Sequence, residues 1–285
     1  MLFRSFQFGI AENNYLLNEH DAAKKSFRAV TQKCNNPRLV TGAKLRLVEL
    51  DFPKNQKEAG EGLERLYLSE SNIITRFYPE ALYNLGEFKF KRKEFKSSKF
   101  FFTEYLNSKK KDPKCAPYAM KRLGDIGIKT KSAIADISSS YLQTYDQYPK
   151  SDIGKYAYIQ AMLIDYSGKA AAEQQRRTQV IDEKLETIQD VKIRHAAALS
   201  KGLALLDSSE KGAVDYLVKV AKADPQELKN SEISQFISSR IFRIIKKESE
   251  LAQSIGYQNE NLKDEDLFQP VQEAYDLWLK GSSFE

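Results

Sequence analysis

Between residues 87 and 122 the chain carries twelve lysines and arginines against four carboxylates, a local excess of eight where the whole chain nets +6. The remainder is slightly acidic, so the basic field belongs to one segment. Within it Lys89, Arg92, Lys93, Lys96 and Lys99 alternate with Phe95, Phe100, Phe101 and Phe102. Cations mixed with aromatics can attract phosphates, an anionic surface or an acidic protein segment. Of these an acidic segment is favoured and nucleic acid is not. A solvated lysine face is the plainer reading of such a run, and Lys109 to Lys111 fall in a loop before Pro113.

Catalytic chemistry finds no comparable foothold. His20 and His195 are the two histidines, the first at a turn between helices and the second at the start of a small-residue helix; neither neighbours a nucleophile signature. Cys34 and Cys115 are far apart and form no CxxC or Cys/His cluster, so they read as free, part-buried thiols and no metal site is expected. Phosphate-cradling GxxxxGK[ST], zinc-binding HExxH and dinucleotide-binding GxGxxG patterns are missing. The run Asp264, Glu265 and Asp266 suits the acidic first turn of a helix. The expectation is a protein that is not an enzyme and carries no cofactor.

What positions these residues is helical. Hydrophobic residues make up 41% of 285, enough for a folded core, while Gly (13) and Pro (8) are scarce and strand-like alternation is missing. No apolar run approaches the roughly 18 residues that a membrane span needs, so no transmembrane segment is expected. The stretch "PEALYNLGEFKFKRKEFKSSKFFFTEYL" from Pro79 sets the pattern. Counting Pro79 as position one, Leu82, Leu85 and Gly86 fall at four, seven and eight, Phe90 at twelve, Ser98 at twenty, Phe102 at twenty-four and Tyr105 at twenty-seven. Two antiparallel helices follow, with Gly86 and Ser98 small where their axes approach and the large residues filling between.

This pattern resembles a tetratricopeptide repeat (TPR), with Lys89 departing from it where the family usually has an aromatic. Ile10, Ala11, Tyr15, Ala23, Phe27 and Val30 keep the same offsets near the start. A third unit reads Ala43, Leu47 and Leu50, then Ala59, Leu63 and Leu66, with Leu47 large at position eight. Leu123 and Gly124 repeat the L-G pair, followed by a stripe of Ile134, Ile137, Tyr141 and Tyr145. Ser151 is the expected N-cap of the next helix, with Ala157 and Ala161 as its small positions and a long partner over about 169 to 188. Ala198, Gly202 and Leu205 pair with Val214, Val218 and Ala221 in a sixth unit. The expected fold is thus all-α: a superhelical solenoid of about six helix pairs over residues 3–228, and C-terminal capping helices over 229–285. Other helical-pair arrays and an irregular bundle share the same periodicity.

The resemblance implies a concave groove lined by the first helix of each pair. It maps Tyr83, Asn84, Glu87, Phe90 and Lys91, then Tyr118, Lys121, Arg122 and Asp125, and later Tyr158 and Tyr166 onto that wall. Tyr83, Asn84, Glu87, Lys91, Tyr118, Lys121, Arg122 and Tyr158 are the candidate partner-binding residues. Aromatics would supply contact area and charges the register for a peptide or partner protein. TPR domains that clamp acidic C-terminal tails match here at Lys44, Asn84 and Arg122, but Val48 and Tyr118 stand at two other clamp positions, and ordinary groove residues are the favoured reading. The function expected is a protein–protein interaction scaffold; the alternative is an adaptor that binds nucleic acid or an anionic surface through residues 87–122.

One further segment, "YLQTYDQYPKSDIGKYAYIQAMLIDY", is similar to bacterial envelope scaffolds of the TPR type. Read as complete from Met1, the chain is expected in the cytoplasm; a secretory segment upstream would place it in the periplasm instead.

Overall fold

The protein is described by a computed structural model over residues 2–208, together with Tyr216 and Val220. Among the described residues it is all-α, with eleven helices and no strand. They are Leu2–Leu16 (α1), His20–Lys33 (α2), Pro37–Asp51 (α3), Gln56–Phe77 (α4), Glu80–Lys91 (α5), Phe95–Asn107 (α6), Ala116–Lys129 (α7), Ile134–Gln147 (α8), Asp152–Leu163 (α9), Ala171–Glu186 (α10) and Val191–Asp207 (α11). The repeat residues Val214, Val218 and Ala221, and the capping helices expected over 229–285, lie outside the described residues. Contacts divide the chain into two compact units, with the break after Thr144, inside α8.

In the first unit each helix from α1 to α6 packs on the next, and α1 also touches α3. Local sequence sets the ends. Asn36 accepts the backbone N–H groups of Arg38 and Leu39 ahead of Pro37, and Asn55 accepts that of Glu58, so both start helices by side-chain capping. Helix α5 has Glu80 in its first turn and Lys89 and Lys91 in its last, the charge order its dipole favours. The chain then turns through Lys93 at φ 62°, with Glu94 N–H reaching back to the Lys89 carbonyl at 2.9 Å.

The pair α5–α6 holds its core as the spacing demands. Leu82, Leu85, Phe102, Tyr105 and Ser98 are wholly buried. A Cβ on Gly86 would sit 2.7–2.9 Å from the Phe102 ring, so only glycine lets that ring lie on the helix backbone. Ser98 donates its hydroxyl to the Gly86 carbonyl at 2.8 Å, which satisfies the hydroxyl that the contact buries. Gly124 stands in the same relation to Tyr141, whose hydroxyl donates to Asp125 Oδ1 at 2.7 Å. Around α1–α3 a second core gathers Ala11, Ala23, Phe27, Val30, Ala43 and Leu50.

Helix α4 buries Ala59, Leu63 and Leu66 and continues past them to Phe77 with a kink at Glu70, and Ile74 beyond the kink is fully buried. One expectation is corrected in α8. Ile134 is 55% exposed at the first position of α8, so the buried stripe of that helix begins at Ile137 and continues at Tyr141.

In the second unit α9 packs on both α10 and α11, which also touch each other. Ser151 caps α9 by accepting the Gly154 N–H at 3.0 Å, as expected. Ala157 and Ala161 are buried, and Ile159, Ile181, Leu185, Ile188 and Ala197 form a core. His195 lies one turn inside α11 and is itself buried, its Nε2 2.7 Å from the Val220 carbonyl.

Candidate functional site

A cleft of about 400 Å³ opens in the first unit between helices α3 and α5. Arg46 and Glu49 of α3, with Tyr15 of α1, make one wall; Asn84, Glu87 and Lys91 of α5 make the other. Phe52, Gln56 and Phe88 complete the lining.

The walls are held by a device that occurs twice. Arg46 forks onto Glu12 (Nε to Oε1 2.9 Å, Nη2 to Oε2 3.2 Å) and onto Glu49 at 2.7 Å, and its guanidinium lies 4.7 Å from the Tyr15 ring centroid. Arg122 forks onto Glu87 (2.7 and 3.0 Å) and onto Asp125 at 3.0 Å, and lies 4.6 Å from the Phe90 ring. In each case a carboxylate and an aromatic three residues later on one helix receive an arginine from the next first helix. That arginine is also held by a carboxylate three residues after it. The pairs are bidentate but about a third exposed at the arginine, so each is worth about 1 kcal/mol net.

Between α3 and α5 this rung is missing. Arg46, Asn84 and Arg122 are spaced evenly at 38 residues, and so are Glu49, Glu87 and Asp125. At the middle position asparagine replaces arginine. Glu49 therefore has no guanidinium reaching it from α5, and the space that side chain would fill belongs to the cleft.

Asp125 closes the second rung. Burial alone would raise its carboxyl, but Lys121 at 2.8 Å, Arg122 and the Tyr141 hydroxyl hold it below the usual range. Tyr83 is pushed the other way by burial and by Glu87.

The groove residues expected from sequence therefore divide. Asn84, Glu87 and Lys91 line the cleft, Lys91 reaching Gln56 Oε1 at 3.3 Å. Arg122 and Lys121 are engaged in the rung beside it. Tyr83 turns onto the core, its ring 5.8 Å from Phe102 and 5.5 Å from Tyr105. Tyr118 is 40% exposed on α7. Tyr158 belongs to the second unit, where it stacks at 4.7 Å on Tyr145 with Lys184 over both rings. Tyr166, also mapped to a groove wall, is buried and bonds Thr178 at 2.6 Å.

Sequence reasoning missed Arg46, Glu49, Phe52 and Gln56. Registering the third unit from Ala43 places Lys44 on the wall and leaves Arg46 off it; Lys44 is 3.9 Å from Glu70 instead. With Lys44 there and Arg122 held by two carboxylates, the clamp geometry is not assembled. The 38-residue recurrence of an arginine or asparagine followed three residues later by a carboxylate was the signal that would have found the cleft.

The basic segment also changes membership. Lys89 is only 5% exposed, and its amine bonds Glu64 at 2.6 Å and Glu94 at 2.7 Å. Burial alone would lower its pKa, but the two carboxylates raise it. It is a buried structural cation and no part of an exposed patch. Arg92 is tied to Glu94 at 2.7 Å, whereas Lys93, Lys96 and Lys99 are exposed.

Among the described residues no cluster of three metal-ligating side chains occurs, and no helix is long and apolar enough to cross a membrane. Compared with known proteins, the chain matches no family model and no curated sequence.

Proposed function

We propose that the chain is a TPR-like helical-repeat scaffold without catalysis, whose α3–α5 cleft holds an extended segment of a partner protein. The observation that carries this reading is the substitution of Asn84 for the arginine of the neighbouring rungs. It leaves an amide and open volume where the array would otherwise tie itself shut. The lining suits a peptide: Tyr15, Phe52 and Phe88 offer apolar area, and Gln56 and Asn84 offer amides for backbone groups. Arg46 and Lys91 balance Glu49 and Glu87, so the cleft favours a segment of mixed charge over a strongly acidic one.

Peptides selected from a displayed random library against the chain test this. The reading expects binders of about micromolar affinity whose binding falls at least about tenfold in Asn84→Arg, with helicity unchanged by circular dichroism. Arginine there would bridge to Glu49 and close the cleft. Selected peptides that bind Asn84→Arg and the parent equally would refute the assignment.

A further inference from the structure

A second surface of the first unit stands apart from the cleft and does not depend on it. On α6, Lys96, Lys99, Phe100 and Thr103 are exposed at the i, i+3, i+4 and i+7 spacing of one helical face, with Lys93 in the turn before it. Tyr67 of α4 meets Phe101 edge to face at 5.0 Å, and Phe101 in turn meets Phe100 at 5.3 Å, so α4 and α6 touch there through their rings. The neighbours of that contact point outward: Leu68 is 76% exposed, Phe100 is 49% exposed, and Arg65 lies one turn before Leu68.

The charge on this face is not cancelled locally. Glu64 and Glu94 are consumed by the buried Lys89, and Glu94 and Glu61 also face Arg92 at 2.7 and 3.8 Å. Arg65, Lys93, Lys96 and Lys99 form no salt bridge among the described residues, and Glu104 is the half-buried carboxylate left on α6. Lys89 and Arg92 together thus balance the charge of Glu64 and Glu94.

We propose that this α4–α6 face docks on an anionic lipid surface, Lys93, Lys96, Lys99 and Arg65 meeting headgroup phosphates while Leu68 and Phe100 enter the interface between them. Cations flanking exposed aliphatic and aromatic side chains match that boundary, where charge is wanted at the headgroups and apolar surface just below. A nucleic-acid groove would use the cations equally well but gives Leu68 nothing to bury against. Lysine stems also cover apolar surface while the ammonium stays in water, which suits an interfacial position.

Co-flotation of the full chain with vesicles tests the proposal, using phosphatidylcholine alone and phosphatidylcholine with about 30% phosphatidylserine. Binding is expected only to the anionic vesicles, and is expected to weaken from about 0.05 to about 0.3 M salt. Lys96→Glu with Lys99→Glu lowers it at least about tenfold. Leu68→Ser with Phe100→Ser lowers it as well, with helicity unchanged. Absence of binding to anionic vesicles overturns the proposal, as does binding by either double variant that equals the parent's. So does a salt-sensitive affinity for duplexes of about 20 base pairs that the lysine reversals abolish while vesicles stay unbound, which would assign the face to nucleic acid. Asn84→Arg leaves vesicle binding unchanged, so failure here is separable from failure of the cleft.

Discussion

In the first unit bidentate arginine–carboxylate pairs run from helix to helix, and in the second, beside side-chain pairs such as Lys201–Asp182 at 2.6 Å, charged side chains run from one element to the backbone of another. In the first, Arg46 and Arg122 reach carboxylates 34 and 35 residues earlier. In the second, Asp152 accepts the N–H groups of Gln189 and Asp190 at 3.1 and 2.7 Å as α11 approaches. Arg177 donates to the carbonyls of Met162 and Ile164 as α9 ends, and Lys155 donates to that of Thr187. The difference bears on where function can be placed. A rung between side chains can be deleted at one position without leaving a helix end unsatisfied, and Asn84 is such a deletion. A cap cannot be removed without orphaning backbone groups. The first unit can therefore trade a rung for a cleft, while the backbone ties of Asp152, Lys155 and Arg177 in the second must stay.

The sharpest way to break this contrast is at the glycine contacts that set helix spacing in the first unit. Phe102→Ala removes a wholly buried ring from the Gly86 backbone and is expected to cost about 3–5 kcal/mol, read from urea denaturation. A cost below about 1 kcal/mol would mean that the close approach of α5 and α6 does not depend on that ring.

Cutting a rung is the next largest effect. Arg122→Met leaves Glu87 and Asp125 without their shared guanidinium and is expected to cost about 1–2 kcal/mol at neutral pH, discounted for the partial exposure of the arginine. The acid limb sharpens the point. Asp125 is held below its ordinary value of about 3.9, so its contribution is present above that pH and is lost as pH falls through the lower, folded value. In Arg122→Met that depression shrinks, and the stability difference between variant and parent narrows as the pH drops through that range. A constant difference down to about pH 2 would show that the rung is not electrostatic. Asp152, also lowered, provides the control from the second unit: burial would raise it, and hydrogen bonds led by the Asp190 N–H outweigh that. Its own acid limb is unaffected by Arg122→Met.

These effects fall where the sequence was easiest and hardest to read. Leu82, Leu85, Gly86, Ser98, Phe102 and Tyr105 could be placed because burial in a helix pair demands apolar or small residues at fixed offsets. Arg46 and Lys89 were illegible for the opposite reason. A charged residue looks solvated until its partners are known, and Lys89 finds its own 25 residues back and five ahead. The cleft depended on register: a one-residue shift in the third unit moved Arg46 and Glu49 onto the wall. Exposed apolar positions such as Leu68 carry no sequence mark at all, since the same residue type serves the core two residues away at Leu66.

Turns were the other silent feature, and they give the smallest test. Asn18, Lys93 and Lys131 all adopt positive φ (61°, 62° and 54°) after α1, α5 and α7, each followed by an N–H that reaches five residues back into the helix. None is glycine, and although Asn18 is a residue type that favours this region, Lys93 and Lys131 are not, so no punctuation marked the ends of α5 and α7. An L-residue in this region carries strain of roughly 1 kcal/mol, part of which is returned by its smaller loss of chain entropy on folding. Lys93→Gly is therefore expected to stabilise by a few tenths to about 1 kcal/mol. Asp165, at φ 56° beyond α9, is the counterpart in the second unit, and Asp165→Gly is expected to gain less because it also removes the 2.8 Å pair with Lys169. If the two substitutions gave equal gains, the Lys169 contact would contribute nothing, and the second unit's turn would be as bare as those of the first. If Lys93→Gly destabilised instead, the lysine would be supplying more than a tolerated conformation, and the turn before α6 would need another physical account.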